Sequence, residues 1–135
     1  MLSKQVLTLD EVKKIAAAAE AEARAHNWAV TISVVDDGGQ LLWLQRMDGV
    51  APISVDMAQA KAKTAALGRR ETKIYEDMIN NGRFSFMSAP VLEGMIEGGV
   101  PIMADGQCLG AVGVSGVRSA EDVQIARAGI ASLGL

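Results

Sequence analysis

Apolar residues return at helical spacing from the start of the chain. Leu9, Val12, Ile15, Ala16, Ala19 and Ala23 fall on one stripe and Lys13, Lys14, Glu20 and Arg24 on the opposite face, which predicts an amphipathic helix running to about Asn27. Thr8, with Glu11 three residues on, has the form of a capping box that satisfies free amides of the first turn. The period then changes. Ala29–Asp36 and Gln40–Met47 are short runs rich in Val, Ile, Leu and Trp, separated by Asp37-Gly38-Gly39. They predict a β-hairpin, because glycine accepts the positive φ of a tight turn. Ser54 is expected to cap a second helix that ends at Gly68, with Ala58, Ala62, Ala65 and Ala66 as its narrow apolar stripe. A shorter helix is expected over Thr72–Asn80. The segment Asn81–Gly99 shows no period and reads as a long connection, a kind of element that often carries function. Val100–Ala104 and Gln107–Ser115 flank Asp105-Gly106, the strongest short turn signal, and predict a second hairpin. Ser119 with Asp122 is expected to open a last helix with Val123, Ala126, Ile130 and Leu133 facing inward.

Helix, hairpin, helices, hairpin, helix is not the strict alternation of a parallel sheet, so the class is α+β, with helices packed on an antiparallel sheet. The 135 residues suffice for one domain, 1–135. Half of them are apolar but only 4% are aromatic, so the core must be built from small aliphatic contacts. A net charge of −3 and the absence of a basic run exclude the phosphate-neutralising surface of a nucleic-acid binder. Met1–Asp10 has no export-signal pattern and no apolar run reaches 18 residues, which predicts a cytoplasmic protein without a membrane span.

Several segments, taken together, resemble a known family. Val35-Asp36-Asp37-Gly38-Gly39, Arg46-Met47-Asp48-Gly49, Ala60-Lys61-Ala62-Lys63-Thr64-Ala65, Gly98-Gly99-Val100-Pro101-Ile102 and Gly110-Ala111-Val112-Gly113-Val114-Ser115-Gly116 are similar, in order and spacing, to successive motifs of the GlcG/HbpS family of small haem-associated proteins. The likeness extends from about Leu9 to Ala131. It implies a profilin-like fold, a central antiparallel sheet built from two hairpins with flanking helices, and assembly into homo-oligomers that are often octamers. It also implies haem as cofactor and a haem-binding or haem-handling accessory role. A second reading is an enzyme acting on a carboxylate or hydroxy acid in a pocket at a subunit interface.

The candidate site residues follow from chemistry. His26 is the only histidine, too few for a protein zinc centre but enough for one axial bond to haem iron. Its place at the end of the first helix also suits plain complementation of the helix dipole. Met47, Tyr75 and Cys108 are further axial candidates. For these the plainer expectations are core packing for Met47, a surface position for Tyr75 and a buried, inert thiol for Cys108. Arg46 and Lys61 are expected to line one cleft and to meet haem propionates or a small organic acid. Gly113, in the glycine-rich last strand, marks close approach of either a ligand or the last helix.

Overall fold

The computed structural model describes all 135 residues. In chain order the elements are α1 (Leu9–Ala25), β1 (Thr31–Asp36), β2 (Leu41–Arg46), α2 (Ile53–Gly68), α3 (Thr72–Asn80), a 3₁₀ turn (Phe84–Ser88), β3 (Gly99–Ala104), β4 (Gln107–Ser115) and α4 (Ser119–Ala131). The strands form one antiparallel sheet in the order β2-β1-β4-β3. Both expected hairpins are present. They join through β1 and β4, with Thr31 opposite Ser115 and Asp36 opposite Gly110.

The sheet is covered on both faces. Ile32, Val34, Val112 and Val114 form one core with Val12, Ile15, Ala19 and Ala23 of α1 and Val123, Ile125 and Ala126 of α4. Val35 and Ala111 form a second core with Ala62, Ala65 and Ala66 of α2. Five successive residues of β1 are therefore buried, the polar Thr31 and Ser33 among them. α1 and α4 also touch each other closely, since a Cβ on Gly129 would lie 2.9 Å from the Ile15 carbonyl oxygen.

Glycines bring α2 onto the sheet. A Cβ on Gly113 would lie 2.0 Å from the Ala58 oxygen and 2.5 Å from the Ala62 nitrogen, and one on Gly99 would lie 2.3 Å from the Lys61 oxygen. The close partner of Gly113 is thus α2, not the last helix. The connection beyond residue 88 is fastened to the same helix and to the start of α3. A Cβ on Gly94 would meet the Ala60 carbonyl carbon at 2.3 Å, the Gly94 amide donates to Thr64 Oγ1 at 3.0 Å, and the Gly99 amide donates to Thr72 Oγ1 at 2.8 Å.

Helix starts depart from the sequence reading in two places. α2 begins at Ile53 after Pro52, and Ser54 does not cap it; the buried Ser54 hydroxyl instead pairs with Thr31 Oγ1 at 2.7 Å, tying helix to strand. In α4 the first turn is held by Glu121, whose Oε1 accepts from the Arg118 amide at 3.2 Å. That frees Asp122 for another role. Lys61 Nζ donates to Asp122 Oδ2 at 3.2 Å and to the Val114 oxygen at 3.0 Å, and Asp122 Oδ1 accepts from the Val117 amide at 3.2 Å. The two side chains are 3% and 2% exposed, so this ion pair joins α2, the end of β4 and the start of α4 inside the protein. Burial pushes the Asp122 carboxyl up to about 6, against the pull of the Lys61 ammonium and the Val117 amide.

Two outcomes follow for stability. Gly113→Ala must push α2 off the sheet, and overpacking of this kind costs about 3 kcal/mol; a denaturant midpoint equal to wild type would contradict the backbone contact. Lys61→Met leaves the Asp122 carboxylate buried without a counter-charge, at a cost of about 3–5 kcal/mol at pH 7, while adding Asp122→Asn recovers most of the loss. Because the folded Asp122 carboxyl titrates above its ordinary 3.8, its contribution is fullest below that pH and fades as pH rises to about 6. Urea melts from pH 4 to 7 should show this fall in the wild type relative to the double variant, and parallel profiles would refute it.

Candidate functional site

The expected site residues separate into two groups. His26 is the C-terminal cap residue of α1. Its ring stacks on Trp28 at a centroid distance of 4.3 Å and an interplanar angle of 16°, with Nε2 3.3 Å from Gln124 Nε2 and 3.6 Å from Glu22 Oε2. Trp28, Ala29 and Met47 line a shallow groove of about 250 Å³ beside it. Arg46 ends β2 near the same edge, exposed, with Nη2 donating to the Val50 oxygen at 3.1 Å. Met47 packs against the main core.

Lys61 and Gly113 lie inside. The ammonium of Lys61 is committed to Asp122 and Val114, and the space above Gly113 is filled by α2. The structure therefore does not bring Arg46 and Lys61 to one cleft, and neither lines a groove. Tyr75 is buried at 5% exposure rather than on the surface, because its hydroxyl lies where a Gly68 side chain would be. Cys108 is half-buried rather than buried, with Sγ donating to the Gly110 oxygen at 3.3 Å.

The segment that carried no sequence period builds the larger surface features. Ile79, Met87, Val91, Leu92, Met95 and Ile96 are among eight residues, seven of them hydrophobic, that line an open groove of about 550 Å³. Val91 has φ +65°, a conformation that a β-branched residue rarely adopts and that stores backbone strain. Its side chain and that of Met87 are nonetheless 57% and 70% exposed. The only sequence signal here was a density of apolar residues without a period. On the far side of Glu93 lies a second, polar groove of about 350 Å³ between α2 and the first hairpin. No three His, Cys, Asp or Glu side chains converge to hold a bare metal ion, and no helix is long and apolar enough to cross a membrane.

Residues 7–131 match the family model described as haem degrading protein HbpS-like. The chain is 56% identical over 115 residues to protein GlcG of Escherichia coli K12, covering 85% of each. Its fold superposes on Streptomyces reticuli HbpS, solved as a double mutant, with a TM-score of 0.88 at 32% identity, over 100% of this chain and 92% of that one. It also superposes on the PduOC:heme complex with a TM-score of 0.86 at 26% identity, over 95% of both chains. These matches show that the chain belongs to the HbpS-like family.

Proposed function

We propose that this chain is a haem-binding accessory protein and that the apolar groove between α3 and the connection that follows it receives the macrocycle. The observation that carries the reading is the groove itself. At about 550 Å³ and with seven of eight lining residues hydrophobic, it has the size and character of a small-molecule site. Family membership, and the solved haem complex of a structural neighbour, support haem as the occupant. The residues fit the group. Met87 and Met95 offer thioethers of the kind found on haem iron, and Arg83, stacked on Phe86 at 4.7 Å in the same segment, offers a cation to a propionate. His26 is the other axial candidate, at the Trp28 and Met47 groove. Bound haem would supply a redox-active iron; the chain supplies apolar walls that exclude water from it. The strain at Val91 holds an apolar side chain at the surface, where a soluble domain gains nothing from it unless a ligand covers it.

A second proposal concerns self-association. Leu41, Leu42 and Leu44 are 50%, 37% and 37% exposed on the edge strand β2, and Ile53 at the start of α2 is 60% exposed. An apolar sheet edge with unpaired backbone groups favours pairing with another copy.

Hemin titration followed by absorption should show a saturable Soret change in the wild type. Replacing both Met87 and Met95 by Ala should weaken binding by about tenfold or more, equivalent to about 1.4 kcal/mol. Val91→Asn should raise the melting temperature while lowering hemin affinity, since asparagine tolerates the left-handed region. His26→Ala should leave the spectrum unchanged. Absence of a Soret change in the wild type would overturn the function, and loss in His26→Ala alone would move the site to the other end of the sheet. Light scattering should give a mass above the 14.2 kDa monomer, reduced in a Leu42→Lys, Leu44→Lys variant. A monomer at micromolar concentration would rule out self-association.

A further inference from the structure

The polar groove makes a separate inference possible, independent of haem. It lies between one face of α2, where Asp56, Gln59, Ala60 and Lys63 recur at helical spacing, and Val35, Gly39 and Leu41 of the first hairpin; Glu93 closes its far side. Among the 13 lysines and arginines, Lys61 is the one buried and Lys63 the one half-buried; the rest are exposed. Lys61 has its carboxylate. Lys63 has none, for it takes part in no ion pair of the chain, although Asp56 and Glu93 line the same groove.

The stem of Lys63 is nevertheless held in place. Gly39 has φ +78°, and a Cβ there would lie 3.0 Å from Lys63 Cγ, so the hairpin tip rests on the methylenes and leaves the ammonium to the groove. The other polar groups are equally uncommitted. Neither Asp56 nor Glu93 is ion-paired, and Gln59 uses its Nε2 on the Val55 oxygen at 3.1 Å, which leaves its Oε1 open.

This set of groups selects a ligand class. A simple anion would find Lys63 but also two carboxylates, and a simple amine would leave Lys63 unanswered. A molecule with an ammonium at one end and a carboxylate at the other satisfies all of them, while its carbon chain lies on Val35 and Leu41. Asp56 and Lys63 are seven residues apart, about 10 Å along the helix, and long side chains lean back toward the helix N-terminus, so the ends of a short molecule come within reach of both. The volume of about 350 Å³ accommodates on the order of ten non-hydrogen atoms. We propose that the groove between α2 and the first hairpin binds a small zwitterion of the amino-acid class, its carboxylate on Lys63 and its ammonium on Asp56 and Glu93.

The test is a heteronuclear NMR titration of the isotope-labelled, hemin-free protein with glycine, β-alanine and γ-aminobutyrate, and with butyrate and n-butylamine as analogues carrying one charge. At least one zwitterion should shift the Gly39, Gln59 and Lys63 amides saturably, with a Kd of about 1 mM or tighter and at least about tenfold below that of either analogue. Lys63→Met, which keeps the stem against Gly39, should abolish the saturation with the rest of the spectrum unchanged, whereas Lys63→Arg should retain it. No saturable shift by any zwitterion, equal affinity for the one-charge analogues, or unchanged binding by Lys63→Met would each overturn the proposal.

Discussion

The near contact of two backbones, that of α2 and that of β4, sets the terms for much of the molecule. At Gly113 there is no room for even one carbon atom between the strand and the Ala58 and Ala62 turns, so the helix lies as deep as a helix can. A helix this deep is covered by the sheet on one side and the returning connection on another, and the polar groups on those sides must find partners inside. Ser54 pairs with Thr31, Thr64 with the Gly94 amide, and Lys61 with Asp122 and Val114. One hydroxyl does not comply: Ser33 Oγ, on the same face, is buried without a partner.

The same geometry explains how Lys61 and Lys63 come to differ. Two residues along a helix are about 200° apart in projection, so one ammonium enters the interior beside β4 while the other points to the groove by the first hairpin. Two lysines in one motif thus have unlike fates. The inner one fixes three elements to each other, and the outer one is left for a partner from solution.

Much of the architecture was legible because local rules and the final structure agree. The Thr8–Glu11 box, both turn signals and the alanine stripe of α2 all concern residues whose partners lie within a few positions or on one helix face. Where the reading failed, a distant partner had taken a residue away from its local role. Ser54 was diverted by Thr31, Asp122 by Lys61, and Tyr75 by the bare backbone of Gly68. Gly113 did announce a close approach, but strand alternation says only that a residue has a face, not which helix covers it. The stretch from Asn81 to Gly99 was opaque for a related reason. Its course is set by glycines that meet Thr64 of α2 and Thr72 of α3, and such contacts leave no period in the chain, so both grooves that border it were invisible until the fold was known.

The packing of α4 against α1 through Gly129 bears on how the chain is made. α1 ends at Ala25 and α4 begins only at Ser119, so the apolar stripe of α1 is synthesised long before its cover. Until residues 119–131 are free, Val12, Ile15 and Ala19 have only the unfinished sheet to lie on. Closure of the main core therefore waits for α4, and until then the nascent chain must keep that stripe out of reach of other nascent chains.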